Sequence, residues 1–301
     1  MHETAWGAFS QPGAWYKGNL HCHSTQSDGA RAPEEVVAFY QEQGYDFLAL
    51  SDHRRVTDTT QFATPGFLPL AAMEIDGHDA LVNGPYHMLA IGLHDLREQP
   101  PDAGLTRLLD AIAADGGISV FCHPYWLGAC ATDLLALDRC LGLEVYNANC
   151  EVEVGKGDAR QCWDDALQRG KPFYGFATDD AHWWQPDHGL GWIMVKAERL
   201  DEASLLDALR RGHFYSSTGP EIEHLELQGG VVRVRCTPVD AVLFIAQTGH
   251  GLRVYDAGGK RLTSATYTMS GKERYLRVEC VCSDGTRAWS NPIWPGSEEM
   301  S

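Results

Sequence analysis

Short apolar runs alternate with amphipathic helical stretches over the first two-thirds of the chain. The runs YDFLAL (45–50) and ISVFC (118–122) have the length and composition of buried strands. Segments 33–43 and 105–114 have helical spacing, and glycine follows the last turn of each. Repeated strand–helix units predict a parallel sheet or barrel. Further strands are predicted to end at Asn19-Leu20 and to span 88–92, 143–146 and 173–177, with further helices at 158–169 and 200–211.

The hydrophobic pattern changes after about Pro220. Several of the later apolar runs alternate with polar residues, and turns rich in Gly, Asp or Ser separate them, which is typical of antiparallel strands. No helix is predicted there. We therefore divide the chain into an α/β domain, residues 1–219, and a small all-β module, residues 220–301. The predicted strands of the module are 223–227, 231–236, 241–246, 251–255, 265–269 and 275–282.

Histidines and carboxylates follow the apolar runs directly. In strand–helix folds the chemistry lies at the carboxyl ends of the strands, so these side chains are expected to converge. His21 and His23 are two residues apart and point to the same face of an extended strand, and Asp28 follows closely. Taken singly, each has an ordinary interpretation as a surface histidine, a solvated carboxylate or a structural ion pair. The remaining candidates are His53, Glu74, His87, His123, Asp180 and His182.

The donor types indicate which cations these nine side chains would bind. Six imidazoles, two aspartates and one glutamate suit Zn²⁺, Mn²⁺ or Fe, and are too rich in nitrogen for Ca²⁺ or Mg²⁺ alone. They are too many for one tetrahedral site. The pattern therefore predicts two or three divalent ions that share bridging groups, and with them a metal-dependent hydrolase.

The motifs also carry a family resemblance. HCHSTQSDG, LSDHR, a lone Glu in AAMEID, HMLAIG, FCHP and TDDAH together resemble the PHP (polymerase and histidinol phosphatase) family of metallohydrolases, over roughly Trp15 to Pro220. GHFYSSTGP and the β region ending in RAWSNPIW are similar to the branch of that family named after carbaryl hydrolase. The resemblance implies an α/β fold with a distorted seven-stranded (β/α) barrel of PHP type and a site for two or three ions.

The resemblance further implies how the ligands are shared. One ion would lie on His21, His23, Glu74 and Asp180, a second on Glu74, His87 and His123, and a third on Asp28, His53 and His182. Asp52 would orient a ligand or solvent from behind. The chain departs from the family at Asp179, where a small residue is usual. This leaves two adjacent carboxylates as alternatives for the ligand, and the two-residue spacing to His182 favours Asp180.

Several residues near the motifs are candidates for catalysis or substrate binding. Arg54 or Arg55 could hold a phosphate, although two adjacent arginines can equally be a solvated pair. His188 could donate a proton, against the simpler interpretation of a surface-loop histidine. Asp52 completes the candidate catalytic group. The candidate substrate-binding residues, for which packing is an equal alternative, are Tyr125, Trp126, Asn147 and Trp183; Glu144 could also reach the site.

Composition narrows the function. The net charge of −17 opposes binding to nucleic acid, but bound cations would still admit a small anionic substrate. Neither a signal peptide nor a membrane-spanning run is recognisable, and cysteines beside the candidate ligands favour a reducing compartment, so we expect a cytoplasmic protein without membrane partners. The predicted function is hydrolysis of a small phosphorylated substrate by metal-activated hydroxide. The alternatives are a metal-dependent carbamate, ester or amide hydrolase and a non-catalytic metal- or ligand-binding module.

Overall fold

The computed structural model describes residues 6–100 and 103–295. Seven helices lie in these ranges: α1 (Pro33–Glu42), α2 (Leu105–Ala114), α3 (Pro124–Leu127), α4 (Ala131–Leu134), α5 (Ala148–Val154), α6 (Arg160–Gln168) and α7 (Glu202–Arg210). The strands up to the change of pattern are β1 (Ala14–Asn19), β2 (Phe47–Leu50), β3 (Leu68–Asp79), β4 (Gly84–Ile91), β5 (Ile118–Phe121), β6 (Gly142–Asn147), β7 (Tyr174–Thr178), β8 (Trp192–Ala197) and β9 (Phe214–Ser217). The later strands are β10 (Ile222–Gln228), β11 (Val231–Val239), β12 (Ala241–Ile245), β13 (Gly251–Tyr255), β14 (Leu262–Thr268), β15 (Arg277–Val281) and β16 (Arg287–Ser290).

The fold is mixed α/β, with one large sheet and one small antiparallel sheet. The large sheet has 13 strands in the order β13-β12-β15-β16-β9-β8-β1-β2-β3-β4-β5-β6-β7. Strands β1 to β7 are neighbours in chain order, and the pairs β1-β2, β2-β3, β5-β6 and β6-β7 are parallel. The small sheet has the order β10-β11-β14. The mixed fold inferred from the strand–helix pattern is therefore confirmed.

Amphipathic helices cover the large sheet. In α2 the buried residues Leu105, Leu108, Leu109 and Ile112 recur at helical spacing, so one apolar stripe packs on the sheet. Helix α7 begins at Asp201, whose side chain accepts a hydrogen bond from a backbone amide of the first turn. Burial of this apolar stripe holds α2 against the sheet. The helices cover the face of the sheet and not the ends of its strands, where the polar side chains lie.

The strands after residue 220 are shared between the two sheets. Strand β16 pairs with β9, and β15, β12 and β13 extend the same sheet beyond it. A hydrophobic core that includes Val234, Phe244 and Val278 packs the small sheet against these strands. The division at residue 220 remains a prediction, since the large sheet runs across it.

A buried ion cluster ties the later strands to the helices. Arg277 of β15 is fully buried and donates to both carboxylate oxygens of Asp164 in α6, each at 2.7 Å, and to Glu279 at 2.6 Å. Such a bidentate pair fixes the strand and the helix in one geometry. No helix in the described part of the chain has both the length and the apolar character needed to cross a membrane.

Candidate metal centre

The nine candidate ligands converge at one end of the sheet. Backbone pairing brings the segments after β1 and β7 together: His23 N donates to Ala181 O at 2.9 Å, and Asp180 N donates to His21 O at 2.8 Å. A bridge between His53 and Glu74 aligns the end of β2 with the middle of β3. Segments more than 150 residues apart in the sequence therefore present their side chains to one space.

Two of the candidates have unusual backbone conformations. His123 has a φ of 28° and Asp180 a φ of 56°, in the left-handed region that non-glycine residues rarely adopt. Each conformation turns the chain sharply at the end of a buried strand, β5 and β7 respectively. Backbone strain of this kind costs about 1–3 kcal/mol per residue and is concentrated at functional sites.

Potential ligand atoms lie within 4.8 Å of one another in four groups, of which three consist of imidazoles and carboxylates only; the fourth, His21, Cys122 and Glu144, includes a thiol. The innermost group is fully enclosed: the Nε2 atoms of His21 and His23 lie 3.1 and 3.0 Å from Asp180 Oδ1, and both lie 3.3 Å from Glu74 Oε2. The three groups are His21, His23, Glu74 and Asp180; Glu74, His87 and His123; and His23, Asp28, His53 and His182.

Glu74 and His23 each belong to two groups through different atoms. Glu74 Oε1 lies 2.7 Å from His87 Nδ1 and 3.4 Å from His123 Nε2, whereas its Oε2 faces the innermost group. His23 Nδ1 lies 3.5 Å from Asp28 Oδ1 in the outer group, and its Nε2 faces the innermost one. The groups that share these residues therefore lie side by side.

Several of the potential donor atoms are buried and make no hydrogen bond, as expected of a site for divalent cations. His21 Nε2 is buried and has no hydrogen-bond partner in the described residues, although carboxylate oxygens surround it. The Nδ1 atoms of His53 and His123 are also buried without a hydrogen-bond partner in the described residues, and His53 Nδ1 lies 3.3 Å from Glu74 Oε2. Buried polar atoms normally have partners, so unpaired imidazole nitrogens that face carboxylates are what a cation site requires.

The pKa values show how strongly these groups interact. Burial alone would lower the pKa of His23, but the Asp180 and Glu74 carboxylates outweigh it and raise the pKa to about 10. Burial likewise opposes ionisation of Glu74, but His21, His123 and His23 hold its pKa well below the usual range. The carboxylates are therefore ionised and concentrate negative charge where the imidazoles point.

Glu144 lies beneath the centre and organises it. This buried carboxylate accepts from His21 Nδ1 at 2.7 Å, Thr178 Oγ1 at 2.7 Å, His123 N at 2.8 Å and Asn147 Nδ2 at 2.8 Å. Because an ionised carboxylate only accepts, His21 carries a proton on Nδ1, so Nε2 is the nitrogen that would bind a cation in the innermost group. The sequence suggested only that Glu144 could reach the site, since its hydrogen bonds join four separate strand ends.

Two further aspartates support the loops. Asp52 accepts from Ser24 N, Ser24 Oγ, Ser27 Oγ and Thr57 Oγ1, and so holds the segment after His23 in place. Asp179 accepts from Tyr40 and from the backbone amides of residues 189–191, and burial raises its pKa to about 6. Asp179 therefore faces away from the centre, and Asp180 is the carboxylate that faces the imidazoles.

The three groups open into a cavity of about 450 Å³. Its inner wall consists of Asp28, His53, Glu74, His87, His123, Asp180 and His182, and its outer wall of Trp126, Asn149, Cys150, Glu153, Trp184 and Gln185. Trp126 makes edge contacts with His87 and His123, at centroid distances of 5.9 and 5.2 Å. Among the described residues no lysine or arginine belongs to the lining.

The other candidate residues lie outside this lining. Arg54, with a φ of 61°, turns to Asp76 and donates through Nε at 2.8 Å, while Arg55 is exposed and does not line the cavity. Tyr125 lines a different cavity, and Asn147 is buried and donates to Asp180 Oδ2 at 3.1 Å.

The indole of Trp183 also points away from the cavity. Its Nε1 donates to His23 O at 3.0 Å, and its ring stacks on His188 at 4.7 Å. The neighbouring Trp184, which is 76% exposed, lines the cavity mouth instead. Strand periodicity does not reveal this reversal, because Trp183 itself has a φ of 67°.

A solved structure resembles this chain over nearly its whole length. The chain superposes on the crystal structure of a two-domain protein from Bacteroides vulgatus ATCC 8482, named for a predicted PHP-like metal-dependent phosphoesterase. The TM-score is 0.53 at 18% sequence identity, over 97% of this chain and 99% of that one. The chain has a PHP-like fold. The resemblance inferred from the motifs is thus confirmed at the level of the fold, across both the sheet that carries the centre and the later strands.

Two other comparisons are more limited than this PHP-like match. A Bifidobacterium adolescentis ATCC 15703 protein, described as a metal-dependent phosphoesterase, aligns with a TM-score of 0.43 and 16% identity, over 65% of this chain and 96% of that one. The DNA polymerase/3'-5' exonuclease PolX of Bacillus subtilis (strain 168) is 38% identical over 64 residues, which is 21% of this chain. That match spans only 11% of the length of PolX. No family model matches the chain.

Proposed function

We propose that the protein is a metal-dependent phosphoesterase that hydrolyses a small phosphorylated substrate. The observation that supports this most is the convergence of nine imidazole and carboxylate side chains, in three groups with shared members, on one open cavity. The PHP-like fold supports the same reaction class. A site this rich in ionised and unpaired groups is costly to maintain, so a purely structural role is disfavoured.

The cofactors in this proposal are two or three divalent ions, Zn²⁺, Mn²⁺ or Fe. The ions would lower the pKa of water to give hydroxide near neutral pH and would offset charge on the phosphoryl oxygens. Mixed imidazole and carboxylate donors suit these ions. Glu74 belongs to two of the groups through different oxygens, and this supports a cluster over isolated sites.

The chain's own side chains position the reactants. Glu144 holds His21 in the tautomer that leaves Nε2 free, and Asn147 holds Asp180. Asp52 acts from behind, through Ser24 and Ser27. Asp28 is 53% exposed at the mouth, where its group would meet a substrate that enters the cavity.

The proposed roles of Arg54 or Arg55 in holding a phosphate and of His188 in donating a proton have less support. Arg54 pairs with Asp76, and neither it nor Arg55 lines the cavity, so the phosphate would be neutralised by the ions alone. His188 stacks on Trp183 on the far side of the loop. We retain a direct role for these residues only as a hypothesis; the substitution Arg54→Ala described below tests that of Arg54.

A second candidate is hydrolysis of a carbamate, ester or amide. The observation that favours it is the outer wall, where Trp126 and Trp184 line the cavity and, among the described residues, no lysine or arginine does. Such a wall suits an uncharged aromatic substrate at least as well as a phosphate dianion. The same ions would serve either reaction, so the two candidates differ only in what the cavity accepts.

A substrate panel separates the candidates. Mn²⁺-loaded protein is assayed with phosphomonoesters, phosphodiesters and aryl carbamates, beside the variants Asp180→Asn and Glu151→Gln. We expect phosphoester turnover that Asp180→Asn abolishes and Glu151→Gln retains, because Glu151 is exposed and belongs to none of the metal groups. Turnover of carbamates alone would establish the second candidate, and binding without any turnover would indicate a non-catalytic module.

Four further proposals follow from the sequence. We propose that β1 to β7 form the distorted seven-stranded barrel of PHP type, which the bridge between Cys22 and Ala181 supports by joining the ends of the first and seventh strands. We also propose that residues 1–219 and 220–301 are separate domains. The third proposal is a small-molecule substrate rather than nucleic acid, which the cavity size and the charge of −17 support. We also propose that the protein is cytoplasmic.

A further inference from the structure

The outer wall of the metal-centre cavity contains one carboxylate, Glu153, without a hydrogen bond or ion pair to the described residues. Glu153 lines the cavity but belongs to none of the three metal groups. Within residues 6–100 and 103–295 the structure gives it no ion pair or hydrogen bond, and no lysine or arginine lines the same cavity. Its carboxylate therefore remains available to whatever fills the outer part of the cavity.

Helix α5 fixes the position of Glu153. Asn149, Cys150 and Glu153 lie on one face of the helix, at the spacing that stacks residues i and i+4. The helix begins at Asn147, whose side chain accepts from Cys150 N at 3.0 Å, so the wall is tied to the residue that holds Asp180. Glu153 is consequently one helical turn further from the centre than Asn149.

The loop after β7 completes this wall. Gln185 Nε2 donates to Asn149 Oδ1 at 2.8 Å, which joins the loop to α5. Trp184 Nε1 donates to Asp28 O at 2.9 Å, so its indole is held at the cavity mouth. A substrate with its reacting end at the metal groups therefore has indole surface and Glu153 around its other end.

We propose that Glu153 determines specificity by selecting substrates whose remote end is an amine or another hydrogen-bond donor on an aromatic body, and by rejecting those with a second anionic group. This rests on the proposed hydrolase function. An ammonium group is attracted to the carboxylate and to indole faces, whereas a second carboxylate or phosphate meets only like charge. Because Glu153 is solvent-exposed, each interaction changes kcat/KM by about two- to fivefold, or about tenfold between amine and carboxylate.

The test uses three phenols that differ only at the remote end: tyramine, 4-ethylphenol and 3-(4-hydroxyphenyl)propionate. Each is supplied as its phosphomonoester and as its N-methylcarbamate, and kcat/KM is measured with metal-loaded wild type, Glu153→Gln and Glu153→Lys. We expect the order amine, neutral, carboxylate for wild type. Glu153→Gln should level the series, and Glu153→Lys should reverse it.

Binding of unreactive analogues makes the test independent of turnover. Benzylphosphonates with aminoethyl, ethyl or carboxyethyl substituents are titrated calorimetrically into the same proteins. The control is Glu151→Gln, which removes one charge from the same helix and keeps an acceptor for Gly157 N. It should leave the order unchanged.

The outcomes separate this inference from the proposed function. An amine preference that Glu153→Gln removes, in binding or in the carbamate series but without phosphoester turnover, supports the inference and refutes the phosphoesterase. Phosphoester turnover with the same amine-to-carboxylate ratio in wild type and Glu153→Gln overturns the inference alone. An equal effect of Glu151→Gln also overturns it, since the preference would then come from the general field of the protein.

Discussion

Replacing Glu144 by Gln should weaken metal binding without unfolding the protein. The carboxylate accepts four hydrogen bonds, two at each oxygen. A glutamine of the same shape has one acceptor oxygen and an amide group that only donates. The backbone amide of His123 cannot become an acceptor, so the oxygen of the new side chain must face it. The new NH₂ group then faces His21 and Thr178.

The consequence for His21 follows from its two tautomers. The Thr178 hydroxyl can rotate to accept from the new amide, but His21 can accept at Nδ1 only by moving its proton to Nε2. That proton would occupy the position directed at Asp180 and Glu74. Loss of such an orienting partner typically lowers metal affinity 10- to 100-fold, or about 1.4–2.7 kcal/mol.

Metal affinity is measured by competition with a chelator, and the rise in Tm on addition of Mn²⁺ provides a second readout. We expect Glu144→Gln to lose at least about tenfold in affinity and to show a smaller metal-dependent rise in Tm. Glu151→Gln is the matched control and should behave as wild type. Wild-type metal affinity in Glu144→Gln would refute the argument that this carboxylate sets the tautomer of His21.

Three other perturbations have defined outcomes. Arg54→Ala should change kcat/KM on a phosphoester less than about threefold, because its guanidinium is committed to Asp76; a loss of tenfold or more would restore the phosphate clamp. Arg277→Met should lower the free energy of unfolding by about 1–3 kcal/mol in urea titrations, because it removes the partner of the partly buried Asp164 and one of the three arginines that pair with the buried Glu279; an unchanged free energy of unfolding would contradict this. Burial opposes ionisation of Glu279, but the nearby arginines, Arg277 first, outweigh burial and lower the pKa of Glu279. The ionised Glu279 therefore stabilises the fold fully above its unfolded pKa of about 4.3, and this stabilisation is lost as the pH falls below that value. The urea midpoint of Glu279→Gln should therefore fall less steeply between about pH 6 and pH 3.5 than that of wild type, and parallel curves would count against the assignment.

The convergence of the nine side chains was predictable because it depends on local features. His21, His53, His123 and Asp180 follow apolar runs, and strands in one sheet bring such positions to the same edge. A short spacing, as between His21 and His23, also constrains which residues can share an ion. The sequence pattern therefore indicated that these side chains meet, whereas their division into groups came from the family resemblance, and the structure adds His23 to the group of Asp28, His53 and His182.

Side-chain direction at the loops was not predictable in the same way. Arg54 and Trp183 have positive φ values, so each turns against the alternation expected from its strand. Glu144 was underestimated for another reason: its hydrogen-bond partners lie on four segments, and only the folded sheet places them around one carboxylate. Local patterns carry little information about either effect.

The strand inventory was incomplete for a related reason. Strands β8, β9 and β16 are short and carry polar residues, and their pairing depends on neighbours distant in the sequence. Strand β3 extends to 12 residues, whereas the sequence drew attention only to Glu74 within it. Tertiary pairing, more than local propensity, decides such edges.

The most direct test of the metal centre is the metal content of the purified protein. Protein from medium supplemented with Zn²⁺, Mn²⁺ and Fe is analysed by inductively coupled plasma mass spectrometry, alongside Asp180→Asn and His250→Ala. His250 lies outside the metal groups and should have no effect. We predict at least two transition-metal ions per chain for wild type and His250→Ala, and fewer for Asp180→Asn. A wild-type protein that contains no transition metal, even after supplementation, would contradict the account.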